Sequence, residues 1–453
     1  MRLIDFLLDF TFYYPLLMSF AWMLGGLVFW WRYERNTVSQ RDPLLLLEGT
    51  PLVSVLVPCF NEQDNIHEVL QSLSRLNYPN YEIICINDGS TDQTGAILNR
   101  LTRRYPKLRV IHQASNQGKA VGLNTAALLA NSEYLLCIDG DAMLDRNVIG
   151  WMMVHFQHAA RLGAVTGNPR IRTRSTLLGR LQVGEFSSII GLIKRTQRVY
   201  GRLFTVSGVV TMFRRRALLE VGFWSPDMLT EDIDISWKLQ NAQWSIRFEP
   251  RALCWILMPE TITGLWKQRL RWAMGGLQTV IKYRFIFRSW KLRRMWPIYL
   301  EYVTSVAWAC VMGAVSVLWM ASLLLPPSWQ VVQVRHNGNW HALLMALTCL
   351  LQIMVAMLLD RRYDQQLFRH FFWMVWYPLA YWMLNMATTL WAVPHVLLRP
   401  RGKRAVWVSP DRGLQASGRQ LPPTDHPSEL TSELTSNLTS NLTSNLTSSG
   451  PPP

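Results

Sequence analysis

The chain has 453 residues, 49% of them hydrophobic, with 21 Trp and 19 Met; that is too apolar for a wholly water-soluble protein and long enough for more than one domain. A formal charge of +16 would suit a nucleic-acid binder, yet the Lys and Arg are dispersed and gather beside apolar stretches, as in loops on the cytoplasmic side of a membrane. No nucleic-acid partner is expected, and six cysteines without Cys-x-x-Cys spacing read as small buried hydrophobes, not as a disulfide or zinc framework.

Residues 10–31 carry no charge and are long enough to cross a hydrocarbon core as a helix. The run is longer than the apolar part of a signal peptide, ends in Trp30-Trp31-Arg32 and lacks a small-residue cleavage pattern, so 1–31 is expected to be a retained transmembrane helix. Arg32, Arg35 and Arg41 follow it and only Arg2 precedes it, which places the next domain in the cytoplasm.

Residues 32–259 form that domain. From residue 52 short β-rich runs alternate with helical ones, the pattern of an α/β fold. Strands are expected at Leu52–Val57, Glu82–Asn87, 108–112 and 134–138, and helices at Asp64–Leu76, 92–105 and 118–130. Acidic motifs then fall at strand ends, where open parallel sheets bind ligands.

Residues 260–297 mix Trp and Leu with many Lys and Arg, including Trp266, Lys267, Arg269, Arg271 and Trp272, and read as amphipathic helices at the membrane surface. A transmembrane region over 298–397 follows, with apolar blocks near 298–325, 341–359 and 371–397. Arg335 is the formal charge of the first connecting loop, whereas Arg361, Arg362 and Arg369 mark the second as cytoplasmic. A third crossing would put Arg399, Arg401, Lys403 and Arg404 outside, against that rule; Pro378 and Pro394 offer a break that would keep this end inside. Residues 398–413 form a basic segment. Residues 414–453, ending in five Ser-(Glu/Asn)-Leu-Thr units from Ser428 to Thr447, have the composition of a disordered tail.

Four clusters carry the chemistry. Asn87-Asp88-Gly89-Ser90-Thr91-Asp92 ends the second strand, where a carboxylate can accept the N3 hydrogen of uracil and a glycine turn lets backbone approach a nucleotide. Taken alone it reads first as a turn followed by a helix cap. Lys119, in Asn116-Gln117-Gly118-Lys119-Ala120, puts a cation at a helix start, suited to phosphate. Asp139-Gly140-Asp141 tips a buried strand whose side chains give no reason for two acids, unless Asp141 holds Mg2+ or Mn2+ against a diphosphate. Thr230-Glu231-Asp232-Ile233-Asp234 opens a helix, where the helix dipole also favours acids. Gln268 and Arg271, three apart in Gln268-Arg269-Leu270-Arg271-Trp272, share a helix face and can reach one diphosphate, while Trp272 offers a ring for a sugar.

In type, order and spacing these motifs resemble the processive family 2 glycosyltransferases, whose pattern is Asp, Asp-x-Asp, Thr-Glu-Asp and Gln-x-x-Arg-Trp. Stretches at 166–175, 183–195 and 254–260 resemble more specifically the branch that makes β-1,6-linked poly-N-acetylglucosamine. The resemblance covers about residue 14 to Gly413. It implies a GT-A (Rossmann-like) α/β fold with flanking transmembrane and interfacial helices, in a bacterial inner membrane. It implies UDP-N-acetylglucosamine as donor, a growing glycan as acceptor, and Asp232 as general base. It assigns Asp141 to the metal, and Gln268, Arg271 and Trp272 to the leaving group and polymer end. Glu62, Asp88, Lys119, Asp139, Glu231 and Arg269 are the substrate-binding candidates. A small membrane partner subunit and cyclic di-GMP are implied by resemblance alone.

The chain departs from the family in having Asn87 before Asp88 where many relatives have two acids, and one N-terminal span where they commonly have two. The competing expectations are a cellulose, chitin or hyaluronan-like synthase with the same catalytic parts, or a membrane transporter or scaffold whose nucleotide-binding domain does no transfer.

Overall fold

In the computed structural model, residues 2–37, 42–324, 338–374, 377–400, 402 and 404–405 are described. Helix α1 (Arg2–Phe29) continues through a π turn at Trp30–Glu34. It begins well before the uncharged run, because Asp5 and Asp9 are accommodated in its first turns.

Eight strands form one sheet: β1 (Val53–Cys59), β2 (Tyr81–Asp88), β3 (Leu108–Gln113), β4 (Tyr134–Ile138), β5 (Met143–Leu144), β6 (Leu162–Ile171), β7 (Val210–Arg214) and β8 (Ser245–Ile256). Their order is β3-β2-β1-β4-β7-β6-β8-β5. The β3-β2-β1-β4 half is parallel. Every residue of β1 is buried, as expected of a strand covered on both faces. In the other half β7 is antiparallel to both β4 and β6, so the sheet is mixed.

Helices cover both faces. α2 (Ile66–Ser74), α3 (Thr94–Thr102) and α5 (Val148–Gln157) pack Leu70, Leu98 and Met152 into one core. α4 (Lys119–Leu129), α8 (Arg215–Val221) and α9 (Glu231–Asn241) pack Leu123, Leu218 and Leu239 into the other. Their apolar residues recur at helical spacing, which is what aims each helix at the sheet.

α6 (Leu177–Glu185) and α7 (Leu192–Val199) are joined by a π segment, Phe186–Gly191, and α7 packs along α1. Beyond β8 come α10 (Ile262–Lys282), α11 (Trp296–Leu324), α12 (Gly338–Asp360), α13 (Phe371–Met374) and α14 (Tyr377–Leu398). Among the described residues three stretches are long and apolar enough to cross a membrane: Leu3–Glu34, Trp290–Leu324 and Trp340–Asp360. By length and composition these suit a membrane protein. α14 is not among them, and it lies along α10. Pro394 sits inside α14 without ending it.

A buried charge cluster joins the membrane helices to the sheet. Asp360, at the end of α12, accepts from Arg170 of β6 and Arg195 of α7, each at 2.8 Å. Arg195 Nε also donates to Glu34 Oε1 at 2.9 Å, and Arg362 donates to the Glu34 carbonyl at 2.7 Å. Such a cluster is specific more than stabilising, because desolvation offsets much of the attraction. It fixes the ends of two membrane helices against the domain.

Past α14 the chain returns to that domain. The Arg404 guanidinium donates to Gln117 Oε1 at 2.7 Å and the Ala405 N–H to the Pro226 carbonyl at 2.9 Å. Arg335, Arg401, Lys403, most of the basic segment 398–413 and all of the tail 414–453 lie outside the described residues.

Candidate active site

The site is built at the carboxyl ends of β1, β2 and β4. β2 ends on Asp88, which is fully enclosed. Its Oδ1 accepts from the Gln117 N–H at 2.8 Å and its Oδ2 from the Gly118 N–H at 2.9 Å. Burial raises its pKa, opposed by those two bonds. Asp88 therefore fixes the turn that delivers Lys119, whatever else it binds. Gly118 has φ +92° and Gly89 φ +64°, a region open mainly to glycine. Asn87 turns aside to His112 and the Ser90 N–H. Glu62 is buried, accepts from Asn65 Nδ2 at 3.0 Å and packs beneath Gly140.

Lys119 is the centre of the cleft. Its ammonium lies 2.6 Å from Asp139 Oδ1 and 3.0 Å from Glu231 Oε1, and donates to the Gly208 carbonyl at 3.3 Å. A Cβ at Gly208 would stand 3.3 Å from Asp232 Oδ2 and 3.4 Å from Lys119 Nζ. Acids from two distant stretches of chain, Asp139 on one and Glu231 with Asp232 on the other, thus converge on one cation. Asp141 is 8% exposed beside them.

The fields differ at each group. Burial lowers the Lys119 pKa, but Asp139 and Glu231 more than reverse this, so it stays charged. For Glu231 burial pushes upward and Lys119 wins, leaving it below the usual range. Asp139 is raised by burial, with Asp141 adding to the effect and Lys119 opposing it. Asp232 is pushed up to about 6, by burial first and then by Glu231, against Lys119 and Arg271. Adjacent acids with pKa values driven apart are a common mark of acid-base sites.

α10 brings the remaining motif. At Gly275 a side chain would collide with Thr230, so the helix can lie directly on the start of α9. Gln278 accepts from the Leu229 N–H at 3.1 Å, and Lys282 and Tyr283 donate to Asp234 at 2.7 and 3.0 Å. Arg271 then acts electrostatically on both Glu231 and Asp232. Arg269 is 7% exposed and engaged within the protein: it donates to Glu185 at 2.6 Å and to Gln268 at 2.9 Å, and stacks over Trp272 at 4.2 Å. Its geometry braces the two neighbours.

Sequence reasoning gave Gly208 no motif, and placed Glu185 and Lys194, a buried lysine of α7 in the field of Asp232, within the resembling stretch 183–195 without assigning either a role. Glu185 was legible only as an acid in an apolar helix, which calls for a buried cation.

Among the described residues no group of three His, Cys, Asp or Glu is placed to cage a metal. The donor set at Asp139 and Asp141 is two hard carboxylates, of which Asp141 makes ionisation of Asp139 costlier. It fits a divalent cation completed by substrate oxygens.

The family described as glycosyltransferase like family 2 matches residues 50–275, from the entry to β1 through Gly275 of α10. The chain is 37% identical over 408 residues to the poly-beta-1,6-N-acetyl-D-glucosamine synthase of Staphylococcus aureus strain MSSA476, covering 89% of this chain and 98% of that protein. It is 36% identical over 412 residues to the synthase of the same name from Staphylococcus epidermidis, with the same coverage. Among solved structures, the mannosyltransferase PcManGT from Pyrobaculum calidifontis, in complex with GDP-Man and Mn2+, superposes with a TM-score of 0.54 at 21% identity, over 83% of this chain and 98% of that one. The chain belongs to glycosyltransferase like family 2, in the family of these poly-β-1,6-N-acetyl-D-glucosamine synthases, and is a sugar-nucleotide-dependent glycosyltransferase with a GT-A fold.

Proposed function

We propose that the chain is a processive, inverting polymerase that takes N-acetylglucosamine from UDP-N-acetylglucosamine, joins it in β-1,6 linkage and passes the polymer across a bacterial inner membrane. The observation that carries this reading is the convergence of Asp139, Glu231 and Asp232 on Lys119, with Arg271 in reach of the same acids. A transporter or scaffold has no use for that arrangement.

Asp232 is the general base. It takes the proton of the acceptor's 6-hydroxyl as that oxygen attacks the anomeric carbon, while the bond from that carbon to the diphosphate breaks and UDP departs. A carboxylate with a pKa of about 6 is mostly ionised at neutral pH, yet more basic than an ordinary Asp. One displacement inverts an α-linked donor to a β-linkage. Lys119, Arg271 and Gln268 stabilise the charge growing on UDP. Asp88 with its glycine turn, Glu62 and Glu231 shape the nucleotide pocket. Arg269 holds Gln268 and Trp272 in place, and Trp272 carries the polymer end in line. Asp141, supported by Asp139, holds Mg2+ or Mn2+, which when bound neutralises the diphosphate.

Passage outward is supported by a cavity of about 100 Å³ between the membrane helices, lined by Trp22, Trp308, Tyr381 and Trp382 with Gln352 and Asn385. Aromatic faces with scattered amides suit a sugar chain. A small membrane partner and cyclic di-GMP belong to the same reading by family resemblance.

The test is transfer by the purified protein in lipid, offered UDP-N-acetylglucosamine, UDP-glucose and UDP-glucuronate separately, with digestion of the product by a β-1,6-specific glucosaminidase. Label from N-acetylglucosamine alone, released by that digestion, is expected. Glucose incorporation overturns the donor, and resistance to digestion overturns the linkage.

A further inference from the structure

Three consecutive polar residues of α7 are held by the protein. Arg195 is held by Glu34 and Asp360. Thr196 donates to the Trp22 and Leu192 carbonyls. Gln197 donates to Glu301 and accepts from the Phe204 N–H. Lys194 differs: it is 6% exposed and has no hydrogen bond or ion pair with the described residues. A buried ammonium without a partner is costly and survives where something else completes it. The opposing charge in its surroundings is Asp232.

The position narrows what that something is. On the donor side the cleft already has Lys119 and Arg271 acting on its acids. On the other side Ile193, adjacent to Lys194 in the chain, lines the cavity between the membrane helices together with Ser188. Lys194 therefore stands next to the wall of that cavity and in the field of Asp232. A sugar offers hydroxyl and N-acetyl carbonyl oxygens, which accept from an ammonium.

We infer that Lys194 binds the acceptor, donating to an oxygen of the terminal sugar of the growing glycan beside Asp232. The inference rests on the reading of Asp232 as the base that faces the acceptor. Burial pulls the Lys194 pKa down to about 8 while Asp232 pulls it back, so the amine is charged in the neutral range where it would make this bond.

The full chain in lipid nanodiscs, as wild type, Lys194→Met and Lys194→Gln, is tested with UDP-N-acetylglucosamine and an N-acetylglucosamine oligomer. Three quantities are read: the KM for the oligomer, the hydrolysis of the donor to water, and UDP affinity. Loss of one charge-assisted bond predicts a KM raised about ten-fold or more by Lys194→Met and less by Lys194→Gln, which keeps a donor. Donor hydrolysis and UDP affinity are expected to stay within about two-fold, since neither uses the acceptor. An unchanged KM overturns the inference. So does a parallel fall in all three quantities in both variants, which would mark a structural residue. Failure of the base reading has its own signature, transfer surviving in Asp232→Asn.

Discussion

Lys119 Nζ sits 2.6 Å from Asp139 Oδ1 and is shared with Glu231 at 3.0 Å, so the cation proposed for the diphosphate is already compensated before any nucleotide arrives. Removing it leaves those acids repelling one another, with Arg271 the remaining cation acting on Glu231. Lys119→Met is expected to weaken UDP binding about ten-fold or more, by loss of a charge-assisted contact. Titration calorimetry with UDP measures this, and unchanged affinity would remove Lys119 from the nucleotide site.

The base sets the acid limb of the rate profile. Asp232 must be ionised to accept a proton, and its pKa is raised to about 6, so kcat/KM should rise with pH up to about 6 and level off above it. Lys119 holds that pKa down. In Lys119→Met whatever activity persists should have its limb at higher pH, and a shift the other way contradicts the assignment. Asp232→Asn should lower kcat by about 10² to 10⁴ while UDP still binds.

For the metal, chelation by EDTA should abolish transfer, with recovery on adding Mg2+ or Mn2+. Asp141→Asn should lose the metal-dependent part of UDP affinity while keeping its fold by circular dichroism. A variant whose UDP binding still responds to metal like wild type places the ion elsewhere.

At the membrane boundary, Asp360→Asn leaves Arg170 and Arg195 buried with a carboxylate missing between them. Breaking one partner of such a cluster costs about 3–5 kcal/mol. Thermal unfolding in nanodiscs should show a large fall, and an unchanged midpoint would mean the cluster is hydrated there.

Gly118→Ala tests the turn on Asp88. At φ +92° a side chain is strained, and its Cβ would meet the Ala405 carbonyl at 2.4 Å. Weaker UDP binding is expected with an otherwise intact domain, read by calorimetry beside circular dichroism.

Much of this was legible in the chain itself. β1, β2 and β4 are continuous apolar runs closed by a polar turn, so both the strands and the acids at their tips could be read off the residues. The antiparallel β7 was not, because a five-residue strand between helices looks the same in either direction. Nor was the engagement of Arg269: its helix position shows a basic residue at a membrane surface, and only the fold brings Glu185 beneath it. Lys194 lies in the resembling stretch 183–195, but nothing in the residues gives it a role, and its lack of a partner emerges only from the bonds of its neighbours.

The return of Arg404 and Ala405 to Gln117 and Pro226 bears on how many times the polypeptide changes compartments. A last helix that lies along α10 and leads back to the nucleotide turn ends on the side where it began. We propose on this ground an odd tally of passages, made by α1, α11 and α12. The arginines after Leu398 then keep company with the catalytic half, and the charge bias that opposed a fourth passage is satisfied.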